Sequence, residues 1–349
     1  MSVNSFSGMA AVPTSYGFTA AKNKFINGDF SVNQRAFTSV TSDSTYTFDR
    51  WRTQIATTAG TATFTPQTFT PGAAPVAGYE GANFAQCITS GVTGSGTITQ
   101  VCYAQRIEDV RTFANQTVTF SLWAKAGSGT PNLGVRYLQN FGTGGSALVT
   151  GIIGAVTAIS TSWTRYSFTV AVPSISGKTI GTSSYLDLRI YFAAGSGIAD
   201  VSGVGLQDNT FQIWGAQIES GSTASAFQTA TGTIQGELAA AQRYYYNHVS
   251  GTDLAVGSAS NYSATILFAM ISFPVTMRTA PTLSATSGTG YYSYAANAAV
   301  DAFNSFTADR PAKSGASVYN STEIAGTIGQ GGYVFTSNAS AFISFSAEL

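Results

Sequence analysis

Charge is what this sequence has least of. Asp, Glu, Lys and Arg make up 9% of its 349 residues, where soluble domains carry about 25%. The 16 acidic and 16 basic residues cancel. No basic stripe exists to neutralise phosphates, which argues against a nucleic-acid partner. Histidine is almost absent. His248 stands alone, so no second imidazole can complete a relay, and a solitary histidine is more often structural than catalytic. Cysteine is scarce too. Cys87 and Cys102 have no flanking histidine and do not form a metal-ligand pair; their β-like surroundings suggest buried free thiols. Long apolar runs are missing. The longest, Gly151 to Ile159, is far too short to cross a bilayer, and the opening MSVNSFSGMAAVPTSYG lacks the basic start and apolar core of a secretory signal. We therefore expect synthesis in a cytosol and no membrane insertion.

What is abundant is hydroxyl and ring. Glycine, serine and threonine are plentiful, with 17 tyrosines and 23 phenylalanines. Hydroxyls, not ions, must keep such a surface wet. A surface of low charge is also easier to bury against another subunit, because fewer ions lose water. This favours an assembly over a monomer.

The chain divides by texture. Residues 1–22 are small, polar and aperiodic, and read as an arm that docks on a partner. Residues 23–228 carry many short strands with turn punctuation and no helical period, the pattern of a β-sandwich of jelly-roll size. KFINGDF reads as two interleaved strand faces with an Asn-Gly turn or bulge signal. Trp51 reads as core, and Asp49 as a salt-link partner of Arg50 or Arg52. Strands are expected at Ala62–Phe64, Asn83–Thr89, Gly96–Val110, Thr117–Ala126, Leu133–Asn140, Trp163–Val172, Tyr185–Ala193 and Phe211–Ile218. In the last of these Phe211, Ile213, Gly215 and Gln217 fall on one face. Residues 229–248 hold the one convincing helix, an amphipathic segment from Glu237 to Tyr246. Leu238, Ala241, Gln242 and Tyr245 fall at i, i+3, i+4 and i+7, with Glu237 in the first turn and Arg243 near the last, as the helix dipole favours. So short a helix must pack on something: the domains it joins, or sister helices about a symmetry axis. The Tyr244-Tyr245-Tyr246 run favours the second, making those four residues the expected oligomer contact. Residues 249–349 read as a smaller β-sandwich, with strands at Leu254–Ala259, Ala264–Phe273, Thr282–Ala285, Gly290–Ala295, Ser317–Tyr319 and Phe342–Ala347. Pro274 and Pro281 mark the piece between them as a bend. The expected fold class is all-β.

Several stretches, taken in order, carry a resemblance: KNKFINGDFSVNQR, YTFDRW, TVTFSLWAKAG, YLQNFGTGGSA, FQIWGAQIESGSTASAFQ, ELAAAQRYYY, FPVTMRTAPTLS and the terminal ISFSAEL. Together they resemble tailed-phage structural proteins of the tail-fibre and carbohydrate-binding fibre type, over roughly residues 23–349. In that family LLxNGDF opens a jelly roll, VQLExGxxATPF closes it and ELxxCQRYY links onward. Ala241 stands where many relatives have cysteine, which argues against a required linkage there. The resemblance implies a virion protein made in the host cytoplasm. It implies a homotrimer attached to other virion proteins through the N-terminal arm, with a host surface polysaccharide as ligand. The NGDF opening also resembles carbohydrate-binding modules that hold a structural calcium between first- and last-strand acids. Here Asp29 is present but the last strand lacks its acidic pair, and a hard cation needs several oxygens. No metal or cofactor is expected.

Catalysis finds little support. Glycoside hydrolysis needs two carboxylates flanking one bond. The candidates are Glu108, Asp109, Asp187, Asp200, Asp208 and Glu219. Adjacent Glu108 and Asp109 point to opposite strand faces, and ion pairs with Arg106 or Arg111 are the simpler reading. FGTGGS lacks the lysine and helix of a phosphate loop. GTGYYSY is the candidate glycan platform: Tyr291, Tyr292 and Tyr294 could stack on sugar rings, or they could be buried alternate residues of a strand. The expectation is a non-enzymatic fibre or receptor-binding protein. A capsid-decorating or structural tail component is the first alternative, and a polysaccharide depolymerase the second.

Overall fold

A computed structural model describes residues 22–92 and 99–349. Residues 1–21 of the expected arm, and the first residues of the strand expected from Gly96, lie outside the described residues.

Ten strands build the first unit: β1 (Arg52–Ala56), β2 (Thr61–Thr68), β3 (Asn83–Ser90), β4 (Gln100–Glu108), β5 (Thr117–Ala126), β6 (Asn132–Asn140), β7 (Val149–Ala158), β8 (Thr164–Ala171), β9 (Tyr185–Ala194) and β10 (Asn209–Ser220). They form two antiparallel five-stranded sheets, ordered β1-β4-β9-β6-β7 and β2-β3-β10-β5-β8. This is a jelly-roll sandwich, the class the strand count and turn spacing predict. Val118, Phe120 and Leu122 alternate inward along β5, and Leu186, Leu188 and Ile190 along β9. A ring cluster of Phe25, Phe30, Trp51 and Tyr103 fills one end of the core.

Two local expectations change. KFINGDF is a turn, not a strand: Asn27 takes φ 60°. Its side chain accepts from Val32 N and donates to the carbonyls of Val32 and Asp49. Gly28 is required because a Cβ there would lie 2.2 Å from the Ala216 carbonyl of β10. Along β10 the alternation breaks at a bulge between Trp214 and Gln217, where Gly215 has φ +64°. Ala216 and Ile218 therefore join Phe211 and Ile213 in the core, an arrangement strict two-residue periodicity cannot give.

The helix α1 spans Ile234–Gln242 and ends earlier than its periodicity suggests. Thr233 caps it by accepting from Gly236 N. Tyr245 and Tyr246 already belong to a strand, β11 (Tyr245–Ser250). Nine more follow: β12 (Ala255–Asn261), β13 (Leu267–Ser272), β14 (Thr282–Ala285), β15 (Tyr292–Ala296), β16 (Ala299–Phe303), β17 (Thr307–Ala312), β18 (Gly315–Asn320), β19 (Gly331–Thr336) and β20 (Phe342–Ser346). They make a three-stranded sheet, β11-β20-β14, and a seven-stranded sheet, β16-β15-β19-β12-β13-β18-β17. Val249, Ile343 and Phe345 of the small sheet meet Val256, Leu267, Ile271, Val318 and Val334 of the large one.

The tyrosine run is used inside the chain. The Arg50 guanidinium lies 3.5 Å over Tyr244, and Arg35 lies 3.6 Å over Tyr245. Tyr246 turns toward His248 and Phe273 of the second unit. Arg50 does not pair with Asp49, as its position suggests; it pairs with Glu348, while Asp49 faces Arg35 at 3.6 Å. Glu348 thus reaches from the second unit onto two arginines of the jelly roll, and Arg243 binds Glu108 at 3.0 Å beside it.

Candidate functional site

The large sheet of the second unit has two apolar faces and one covering layer. Along β13 the sequence LFAMIS puts Leu267, Ala269 and Ile271 against the small sheet. That leaves Phe268, Met270 and Ser272 on the outside. The pairing carries this face across the sheet: Phe268 stands opposite Tyr319, and Met270 opposite Ser317. Ser260 stands opposite Phe268 on the other side. Two strands further, Ser258 stands opposite Tyr333, and Ala255 opposite Phe335.

The result is an uncovered strip of rings and hydroxyls. Met270 is 64% exposed, Tyr333 55%, and Tyr262, at the strip's end, 72%. Phe268, Tyr319 and Phe335 are half-buried. The rings support one another at the edges: Tyr262 meets Phe268 at 5.8 Å, Phe268 meets Tyr319 at 5.5 Å, and Tyr333 meets Phe335 at 5.9 Å. No charged residue occurs between positions 255 and 272. A groove of about 680 Å³ opens at one side of the strip, over Phe268, Met270 and Ser317. An exposed apolar area interleaved with hydroxyls can take a ligand that is itself apolar on one face and polar at its edge.

Tyr292 and Tyr294, two of the three expected platform residues, point the other way. They sit two apart on β15 and share its core face, at 0% and 3% exposure. Tyr292 donates to the carbonyls of Thr286 and Phe342, and Tyr294 to that of Gln330. Neither offers a ring face to a sugar. Tyr291 is half-buried. The exposed and half-buried rings lie instead on β13, β18 and β19, in segments whose local pattern does not mark them.

The four residues expected at an oligomer contact do not share one surface. Ala241 is fully buried within the chain, Leu238 is exposed, Gln242 is half-buried, and Tyr245 lies on β11 beneath Arg35. The exposed apolar face of α1 is Ile234 with Leu238.

Each candidate catalytic carboxylate has a structural partner. Glu108 accepts from Arg243 and from Tyr244 at 2.9 Å. Asp109 binds Arg111 and Ser184. Asp187 pairs with Arg189, and Asp200 with Arg136. Asp208 accepts from the backbone of Gly91 and Val92. Glu219 accepts from Ser225 and Gln217. Asp29 accepts from Ser31 and the Tyr79 hydroxyl. Among the described residues, no three or more His, Cys, Asp or Glu side chains group as metal ligands do.

His248 lies inside the second unit. Its Nε2 is 2.6 Å from the Val256 carbonyl and its Nδ1 is 3.0 Å from the Tyr246 hydroxyl. A neutral ring satisfies both contacts, donating from Nε2 and accepting at Nδ1. Burial pushes its pKa below the ordinary histidine value. Cys87 and Cys102 are buried free thiols, and burial raises Cys102 to about 12.

No family model matches the chain, and no curated protein matches it. Solved structures do. The family 11 carbohydrate-binding module of a cellulosomal cellulase from Clostridium thermocellum is similar over 55% of this chain and 99% of its own, at 10% identity and TM-score 0.30. The enzymatically active domain of tailspike protein 4 from Bacteriophage CBA120 is similar over 57% of this chain, at 11% identity and TM-score 0.32; this chain spans 21% of that one. A cyclase from Fischerella sp. TAU is similar over 57% of this chain and 96% of its own, at 14% identity and TM-score 0.36. The jelly-roll assignment stands on the strand order itself.

Proposed function

We propose that the chain is a glycan-binding attachment protein of a tailed-phage particle, a fibre or receptor-binding component that acts without catalysis. One observation carries this reading: the uncovered strip of Tyr262, Phe268, Met270, Tyr319, Tyr333 and Phe335, lined with serines. A pyranose ring has an apolar face that stacks on aromatic carbon and an edge of hydroxyls that serine oxygens can meet. Each such contact is weak, so repeated copies on a particle supply the avidity that one site lacks. The virion setting rests on the ordered motifs of the sequence. The absence of catalysis is supported by the candidate carboxylates, each already engaged with an arginine, a backbone N–H or a hydroxyl.

Adsorption tests the reading. Fluorescently labelled protein is mixed with a panel of bacterial strains, before and after periodate oxidation of their surface glycans. Binding to a subset of strains that periodate removes is the expected result. Binding indifferent to periodate would place the receptor outside glycan chemistry, and release of reducing ends from the same surfaces would make the protein a depolymerase.

A second reading has its own observation. Ile234 and Leu238 form an exposed apolar pair on α1, a small patch that a sister subunit could cover. It bears on assembly and leaves the ligand question untouched.

A further inference from the structure

The groove at the side of the strip is not neutral along its whole wall. Its floor is Phe268 and Met270 of β13 with Gly315 and Ser317 of β18, and Tyr262 closes one end. Its far wall is the edge strand β17. There the pairing slips between Asp309 and Ala312, and Arg310 adopts φ 42°, a conformation that costs a side-chain-bearing residue energy. A bulge re-aims a side chain, and here it brings the guanidinium to the groove's rim, 86% exposed. Lys313 follows, exposed, in the β17–β18 turn. Against these two cations stands one acid, Asp309.

Asp309 pairs with Arg310 at 3.3 Å. Such a solvated pair contributes little. Asp309 also accepts from the Ser317 hydroxyl at 2.8 Å, so it keeps a partner when Arg310 turns away. The guanidinium is therefore free to exchange its carboxylate for one on a ligand at small cost. It can do so with two parallel N–H donors, the geometry that favours arginine over lysine at carboxylates.

We infer that this groove holds an acidic sugar, a uronic acid or another carboxylate-bearing pyranose, with its apolar face on Phe268 and Met270 and its carboxylate on Arg310. The inference rests on the glycan-binding reading and narrows it. Charge decides between this ligand and a neutral one: the rest of the strip carries no ion, so any preference for acidic sugars traces to the β17 wall.

A printed array bearing neutral and carboxylate-bearing glycans separates the two readings. The full chain binds acidic members, and carboxyl reduction of those members lowers binding about fivefold, the scale of one solvated charge contact. Arg310→Asn, which tolerates the left-handed backbone, loses that preference and keeps the residual binding of the reduced forms. Arg310→Lys retains part of it. Raised salt weakens binding of the acidic forms and spares the reduced ones. Equal binding of acidic and reduced glycans overturns this inference and leaves glycan binding standing. Binding of neither form overturns both. Loss of all binding in Arg310→Asn, with an unchanged melting temperature, also counts against it, because the guanidinium would then be acting on something other than a carboxylate.

Discussion

The two units solve the same problem with unequal means. The jelly roll sets five strands against five, and each sheet hides one face behind the other. The second unit sets seven strands against three. The small sheet packs on one face of the larger sheet; the opposite face stays in water, and it carries Met270 and Tyr333 rather than only polar side chains. Of the ten large apolar residues exposed among the described residues, Leu254, Tyr262, Met270, Val300, Ile328 and Tyr333 belong to the second unit, and Ile88 and Leu148 to the jelly roll. The first unit uses its rings to hold itself together. The second keeps several of them free. That difference is why the proposed ligand contact is placed on the second unit, with the jelly roll as its support.

Trp51 has no exposed surface, packs on Phe25, Phe30 and Tyr103, and donates from Nε1 to the Asn27 carbonyl. Trp51→Ala should cost the jelly roll about 4 kcal/mol, as large aromatic truncations do. Hydrogen exchange should show lost protection in β4 and β9 with β12 and β13 unchanged. Equal loss in both units would mean that they are not separate cores.

Next comes the junction. Glu348→Ala leaves the buried Arg50 without its carboxylate, and breaking a buried pair costs about 3 kcal/mol. Calorimetry should then show two transitions drawn further apart than in the parent chain. A single unshifted transition would remove Glu348 as the link between the units.

A smaller effect comes from pH. The folded pKa of His248 lies below the ordinary 6.5, so the unfolded chain takes up the proton first. The stability the neutral ring contributes is complete above 6.5. It falls as pH drops through that value toward the folded pKa, and levels off below it. The jelly roll has no histidine. Between pH 7 and 5.5 the second unit alone should lose stability, and His248→Gln should flatten the slope. A parallel decline in the jelly roll would place the titrating group elsewhere.

The smallest effect on stability belongs to the strip. Tyr333→Ala, at an exposed position, should move the unfolding free energy by less than about 0.5 kcal/mol while glycan binding drops. A large loss of stability would make Tyr333 part of the core.

Strands such as β5 and β9 were legible in the sequence because half-buried strands alternate, and Thr117–Ala126 appears with both boundaries as expected. β1, β7, β11, β16, β17 and β19 were not. The start of β11, YYNHVS, reads as the end of the helix. In the others glycines, threonines and alanines blur the alternation, and β7 and β17 also carry register slips. The site was less legible than the fold. In LFAMIS both strand faces are apolar, and nothing local says which one the small sheet covers. In YYSY the alternation is clear, yet it marks the buried face equally well. Which side of a strand meets water is decided by which face the partner sheet packs on, a property of the whole topology. The helix contact failed to read for a related reason: Tyr244 and Tyr245 are held by Arg50 and Arg35, which lie about 200 residues away in sequence.

The uncovered face of the seven-stranded sheet is the proposed ligand site. Its most direct test is glycan binding by the intact chain measured beside the double variant Tyr262→Ala, Tyr333→Ala, with melting curves for both. Matched melting curves and at least a tenfold loss of affinity, about 1.4 kcal/mol, are expected. Undiminished affinity in the double variant would contradict this placement and move the site to the jelly roll.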